Sequence, residues 1–363
     1  MPNQDRPLRV GIVSSVGGHL REVLELLPIL RGCELFLVLN DEAAWLPADA
    51  LPGVRRHRIV HAERDVRQLV NLAEAVAILG RERPDVLIST GASPAVPFFA
   101  VGRALSARTI FIEDFNLVDT PSLTGRLVYP LAHDFFVQWP QLLPAFPRAR
   151  YEGALFSIGA GGAAVSVAAD AGAVGDAGDA GEPLSLFCTL GTSPRPMRRL
   201  LAWLDDAVAR GDISGRVLVQ GSSDGYKPRH ITVVPLLPEP ELVAHLKTAG
   251  RVVCHGGCGV LGTCMKLGRR PLAVPRRADA DEAINDHQIM LCRALSDRGL
   301  AVLCQSEAEL LQALRQPESS TAVLAQAGAR DDLHAAIAAI LIDVAGRRGC
   351  RRPDAVGAAG RAG

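Results

Sequence analysis

Several features that would narrow the function of this 363-residue chain quickly are missing. There is no basic surplus: Lys and Arg number 39, Asp and Glu also 39, so the formal charge is zero. Proteins that track nucleic-acid phosphates need a basic excess, so a chain-wide nucleic-acid footprint is excluded, although a small local basic patch is not. No stretch reaches the roughly 18 strongly apolar residues of an obligate membrane-crossing helix. The chain passes from Asp5 and Arg6 directly into apolar residues, without the h-region of a signal peptide. Cysteine is scarce in the first half, where Cys33 stands alone, and the other seven of eight occur from Cys188 onward. Without a secretory context the thiols are expected to be reduced, which points to a cytoplasmic location. A dinucleotide G-x-G-x-x-G fingerprint with its distal acidic residue is also lacking, which rejects an NAD site.

What is present is alternation of strand and helix. The apolar run Leu8 to Val13 enters Ser14-Ser15-Val16-Gly17-Gly18-His19, and Leu20, Val23, Leu24, Leu27 and Leu30 then recur at helical spacing. Further strands are expected at 35–39, 86–89, 109–112 and 135–137, with a helix over 65–81 carrying Val66, Leu69, Val70, Ala73 and Ala77 on one face. Residues 157–182 are almost all Gly, Ala, Val, Ser and Asp without periodicity, the composition of a flexible linker. The alternation then restarts with strands at 184–188, 217–220, 251–254 and 272–274 and helices over 239–247 and 285–298. Such βα alternation builds parallel sheets covered on both faces. The expected organisation is an N-terminal domain at 1–156, the linker at 157–182, a C-terminal domain at 183–345 and a frayed tail at 346–363. Both domains are Rossmann-like α/β units, and a ligand is expected in the cleft between them.

Two loops can carry chemistry. Gly17-Gly18-His19 follows the first strand, where glycine lets backbone N–H groups approach an anion and the next helix adds partial positive charge. His19 there can serve as a general base or hold a phosphate. His255-Gly256-Gly257-Cys258-Gly259 repeats the arrangement in the second half. On pattern alone, the alternatives are a surface helix-capping residue for His19 and a tight structural turn for the second loop. Cys254, Cys258 and Cys264 would fall on a strand, a loop and a helix, so they read as buried small hydrophobes and no metal site is expected. Arg276, Asn285, Asp286, His287 and Gln288 cluster after the next strand, with Asn285 or Asp286 able to cap a helix. Such polar groups beside a glycine turn suit a sugar and its diphosphate; a solvated helix end is the alternative.

At these residues a family resemblance emerges. From Leu184 to about Leu303 the chain resembles the donor-binding domain of MurG-type glycosyltransferases and the catalytic subunit of the eukaryotic two-subunit UDP-N-acetylglucosamine transferase of dolichol-linked oligosaccharide assembly. The carrying residues are Gly191-Thr192, Gln220-Gly221, Tyr226-Lys227-Pro228, His255-Gly256-Gly257, Gly268-Arg269-Arg270-Pro271, Pro275-Arg276-Arg277 and Asn285-Asp286-His287-Gln288. From Val10 to about Phe156 it is similar to the partner subunit, through Ser15 to His19, Ser89-Thr90-Gly91-Ala92, Ile112-Glu113, Ser122 to Pro130 and Phe136 to Pro140. Bacterial exopolysaccharide assembly uses similar paired subunits, and this chain resembles such a pair fused through the linker.

The resemblance implies a GT-B fold: two Rossmann-like domains facing a central cleft. It also implies an inverting, metal-independent hexosyltransferase without cofactor, moving a sugar from a UDP-sugar to a polyprenyl-diphosphate-linked saccharide in exopolysaccharide or capsule biosynthesis. On that basis Gly17 and Gly18 form the acceptor-side loop, and His19 and Glu113 are the candidate bases. Gly191, Thr192, Gln220, His255, Gly256, Gly257, Gly259, Arg276, Asn285, His287 and Gln288 hold the donor. The chain departs from the family at Val260, usually Ser or Thr, at Thr263, usually a ribose-holding Glu, and at Asp114, usually a small residue. A peripheral contact with the inner face of the cytoplasmic membrane is also implied. Phe98, Phe99, Val101, Leu105 and the 123–139 region, beside Arg103, Arg108 and Arg126, either supply its apolar patch or fill the first domain's core. Two other readings stay open: a nucleotide-sugar-binding homologue with altered catalysis, favoured by Thr263, and a UDP-sugar 2-epimerase of the same double-Rossmann shape.

Overall fold

The strand–loop–helix pattern is realised twice. A computed structural model describes residues 6–40, 51–62, 66–156, 183–193, 195–283, 286–318 and 332–353. The chain divides into one unit of Met1–Leu155 with Arg330–Gly363 and another of Phe156–Ala329.

In the first unit the chain runs β1 (Arg9–Ser14), α1 (Gly18–Leu24), β2 (Glu34–Leu39), β3 (Arg55–Arg58), α2 (Arg67–Glu82), β4 (Val86–Ser89), α3 (Ala95–Ala104), β5 (Arg108–Ile112), α4 (Leu123–Val128) and β6 (Asp134–Phe136). All pairings are parallel, in the order β3-β2-β1-β4-β5-β6. Sequence order reverses between β1 and β4, and in such sheets ligands bind outside the carboxyl ends of the strands at that point. The loops after β1 and β4 are the ones carrying Gly17-Gly18 and Thr90-Gly91. β3 escaped the sequence reading because its segment, Arg-Arg-His-Arg, has no apolar residue. It is an edge strand held by backbone pairing to β2, and Arg55 and His57 both bond the Glu82 carboxylate.

The second unit comprises β7 (Leu184–Thr189), α5 (Arg198–Ala209), β8 (Arg216–Gln220), β9 (Thr232–Val234), α6 (Glu239–Thr248), β10 (Arg251–Cys254), α7 (Cys258–Lys266), β11 (Leu272–Ala273), α8 (His287–Asp297), β12 (Val302–Leu303) and α9 (Glu307–Leu314). Its sheet order, β12-β11-β10-β7-β8-β9, has the same topology, with the reversal between β7 and β10. Again the two glycine loops predicted to hold a ligand leave the two central strands.

The expected domain limits need correction at the C-terminus. The last helix, α10 (Asp332–Arg348), packs in the first unit, with Leu333, Ile337, Leu341 and Val344 in the same core as Leu8, Val10, Ile12 and Phe136. Its apolar positions recur at three- and four-residue spacing, which supplies a buried stripe. Beyond it Cys350 is buried and Arg351 bridges Pro7, so the expected fraying at 346 does not begin there. The linker at 157–182 and the end of the tail at 354–363 lie outside the described residues.

The apolar residues considered for a membrane patch are mostly core: Phe98, Phe99 and Trp139 are fully buried, and only Leu105, Leu123 and Leu127 are exposed. Arg108 is paired with Asp134 at 2.6 Å. On α2 the reverse holds. Asn71, Ala75, Leu79 and Glu82 face inward, whereas Val66, Leu69, Val70, Leu72 and Val76 lie on the solvent side.

Candidate functional site

In the first unit, Gly17 holds a backbone conformation of φ 92° at the N-terminus of α1, and the turn delivers His19 onto the end of the sheet. The His19 carbonyl accepts from the Thr90 hydroxyl at 2.9 Å, which pins α1 to the loop after β4. The imidazole lies against Gly91, where an added Cβ would stand 2.8 Å from the ring. On its other edge Nε2 is 3.8 Å from an Asp114 carboxylate oxygen in the loop after β5. That separation is an ion-pair distance and too long for a hydrogen bond, so Nε2 is not held by one to Asp114.

Glu113, the other predicted base, is fully buried. Its carboxylate accepts from the backbone N–H groups of Asp114 at 3.2 Å and Ser122 at 3.4 Å. Burial pushes its carboxyl up to about 7, with the nearby Asp114 adding to the rise. The structure therefore brings Asp114 and His19 together and turns Glu113 inward, toward the start of α4. Sequence reasoning noticed Asp114 only as a departure and gave Glu22 no role. Yet Glu22 stands three residues after His19 on one helix, a spacing that puts both on the same face. Atoms of His19, Glu22 and Asp114 lie within 4.8 Å of one another, the one group of three His, Cys, Asp or Glu residues among the described residues with the dimensions of a cation site.

In the second unit, the His255 ring fills the space between the two loops of the switch point. A Cβ on Gly191 would fall 2.4 Å from the imidazole and one on Gly257 2.3 Å from it. Gly191 has φ 77° as well, so both space and backbone demand glycine there. Gln220, at the end of β8, accepts from the Thr189 hydroxyl at 2.8 Å and is buried beneath the same loop. Thr192 is exposed above it. Gly256 and Gly257 lead into α7, a nine-residue helix containing Gly259, whose N-terminal N–H groups can receive a phosphate.

The residues predicted after β11 divide by role. Arg276 is buried, and its guanidinium donates to the carbonyls of Leu190 at 2.6 Å, Arg195 at 2.7 Å and Glu282 at 3.0 Å. It ties the loop around Gly191 to the loop after β11. Gln288 uses its Oε1 to accept from the Arg276 N–H at 3.0 Å. His287 is half-buried at the first position of α8. Asp286 occupies the N-cap position, but its carboxylate accepts from Ala278 N–H at 3.0 Å rather than from the helix. Asn285 lies outside the described residues. Thr263 donates its hydroxyl to the Gly259 carbonyl, one turn back, at 2.8 Å. Cys254 and Cys264 are fully buried and burial pushes both thiols up, Cys254 to about 12.

Two six-stranded parallel sheets of one topology, each with glycine loops at its switch point, define a GT-B fold. Acinetobacter baumannii MurG superposes with a TM-score of 0.62 at 16% identity, over 92% of this chain and 99% of that one. The UDP-GlcNAc 2-epimerase of Methanocaldococcus jannaschii superposes with a TM-score of 0.60 at 11% identity, over 86% and 95%. Residues 54–155 match the family described as "Oligosaccharide biosynthesis protein Alg14 like". The UDP-N-acetylglucosamine transferase subunit ALG14 of Yarrowia lipolytica is 25% identical over 181 residues, 42% of this chain and 83% of that protein. The chain thus has a GT-B fold of the kind seen in MurG, and residues 54–155 of its first unit match the Alg14-like family.

Proposed function

We propose that this chain is a glycosyltransferase that moves a hexose from a UDP-sugar to a polyprenyl-diphosphate-linked saccharide, with inversion and without a metal. The observation that carries the reading is the His19–Asp114 pair at the switch point of an Alg14-like unit. His19 Nε2 takes the proton of the acceptor hydroxyl as its oxygen attacks the sugar C1, and Asp114 stabilises the imidazolium. The bond from C1 to the diphosphate oxygen breaks, and the electron pair leaves with the nucleotide. N–H groups at the start of α7 neutralise that charge, which lets departure proceed without a divalent cation. His255, Gly191 and Gly257 shape the phosphate loop, and Arg276 and Gln288 hold it in place. The Yarrowia lipolytica relative is a subunit of a UDP-N-acetylglucosamine transferase, which supports a UDP-sugar donor, and we assign the product to exopolysaccharide or capsule biosynthesis.

The lipid-linked acceptor places the reaction at a membrane surface, which we assign to the inner face of the cytoplasmic membrane. No helix among the described residues is long and apolar enough to cross a membrane. The exposed apolar face of α2 offers the alternative, a helix lying in the interface: Val66 and Leu69 are 81% and 70% exposed, with Arg67 at one end and Arg81 at the other. Basic residues bracketing an apolar helix face suit an anionic bilayer.

Incubation with labelled UDP-sugars and a membrane lipid extract tests the reading. Label in the lipid phase is the expected result. An isomerised soluble nucleotide sugar would instead favour epimerisation, which shares the fold, and binding without either product would leave a non-catalytic homologue.

A further inference from the structure

We propose that Glu22 is the positioning residue of the His19–Asp114 pair, a buried strut that fixes the base on α1 against the loop after β5. This rests on the function assigned to His19 above.

The geometry is specific. Glu22 is fully buried, one helical turn beyond His19. Its Oε1 accepts from the Phe115 N–H at 3.0 Å, so the residue next to Asp114 is tied to the helix that bears His19. The same oxygen accepts from the Gln138 side-chain amide. Gln138 Nε2 also donates to the Glu113 carbonyl at 2.9 Å, and Gln138 Oε1 accepts from Leu155 N–H at 2.8 Å. From the far side, Trp139 donates its indole N–H to the Phe115 carbonyl at 2.7 Å and stacks on the Phe115 ring at 5.2 Å. Residues 113–115 are therefore clamped between Glu22 and the 138–139 segment. The clamp sets the distance between Asp114 and His19.

Charge argues in the same direction. The groups facing Glu22 are His19 on its own helix, and Asp114 and Glu113 on the loop after β5. Burial first, then Asp114, pushes the Glu22 carboxyl well above the usual carboxylate range. Glu22 Oε2 is buried and has no hydrogen-bond partner, which a carboxylate oxygen tolerates far less than a protonated one.

The test pairs kinetics with the imidazole NMR resonances of His19 in the full chain. Glu22→Ala is expected to lower kcat on the order of a hundredfold with the donor KM unchanged, because misplacement of a base acts on the chemical step. Glu22→Gln keeps an acceptor oxygen for Phe115 and is neutral, so it is expected to recover most of that loss. It is also expected to leave the His19 ring resonances close to those of wild type, while Glu22→Ala displaces them. A Glu22→Gln variant with kcat as low as Glu22→Ala would overturn the proposal, since it would make the charge of Glu22, rather than its hydrogen bond to Phe115, the contribution. Unchanged kcat and unchanged His19 resonances in Glu22→Ala would also overturn it. So would a shift of those resonances by Zn²⁺ or Mn²⁺ in wild type but not in Glu22→Gln, which would assign the three residues to a cation. If wild type transfers no sugar, the functional reading fails; the NMR arm still decides whether Glu22 holds His19 in place.

Discussion

The imidazole of His255 occupies the space that a side chain on Gly191 would need, with an added Cβ 2.4 Å from the ring. Because φ at Gly191 is 77°, Gly191→Ala meets both a backbone and a steric cost, together about 1–3 kcal/mol. Thermal unfolding should show that loss, and calorimetry should show weakened UDP binding because the phosphate loop is displaced. Adding His255→Ala relieves the steric part, so the double variant is expected to be more stable than the sum of the single ones. Strict additivity would mean that the ring moves aside at no cost.

His19 stands at the switch point of the first unit, and Asp114 lies 3.8 Å from its Nε2, close enough to stabilise a charge there without hydrogen-bonding it. His19→Ala is expected to lower turnover by about 10²–10⁴-fold, the range of general-base catalysis, while UDP-sugar affinity stays within a factor of about two. Single-turnover kinetics with separately measured donor binding distinguish the two effects. Unchanged turnover would remove His19 from catalysis.

Thr263 cannot replace the carboxylate expected there, because its hydroxyl is committed to the Gly259 carbonyl at 2.8 Å. Thr263→Glu restores an acceptor for two ribose hydroxyls, each bond contributing about 1 kcal/mol net. UDP should then bind roughly tenfold or more tightly. An unaltered Kd would show that this turn of α7 is not beside the ribose, and the nucleotide would have to be placed elsewhere.

Most of the double α/β pattern was legible because central parallel strands are continuous apolar runs, as at Val86–Ser89 and Arg251–Cys254. The elements that escaped have different physics. β3 is a charged edge strand, β12 has two residues, and α10 follows a long stretch of chain yet packs in the first unit. No local pattern reveals such a return. At the sites, the glycine loops were readable because turns and close approaches demand glycine. Which carboxylate meets His19 was not, because Glu113 and Asp114 are adjacent in sequence and a strand end sends neighbours in opposite directions. Glu113 turns inward, and Asp114 turns to the imidazole.

The exposed face of α2 predicts a membrane contact that can be removed without touching either site. Leu69 and Val76 are 70% and 57% exposed, and each leucine- or valine-sized side chain buried in an interface contributes about 1.5–3 kcal/mol. Leu69→Asp with Val76→Asp is therefore expected to weaken sedimentation with anionic vesicles by at least about tenfold, leaving UDP binding in solution unchanged. Equal sedimentation of variant and wild type would move the contact to another surface.

Glu113 gives a pH dependence of stability whose sign follows from burial. Its folded carboxyl titrates near 7, above the ordinary value of 4.5 that the unfolded chain retains. The folded state therefore holds the proton more tightly, and its stabilising contribution is complete below about pH 4.5 and lost as pH rises through 7. The loss is on the order of 3 kcal/mol by pH 8. Glu113→Gln has no proton to lose, so its unfolding free energy should gain on wild type across that interval and be level with pH thereafter. Denaturant titrations of both proteins from pH 5 to 8 measure the difference directly. Parallel curves would mean that Glu113 carries the same charge folded and unfolded, and that the N–H groups of Asp114 and Ser122 fully offset its burial.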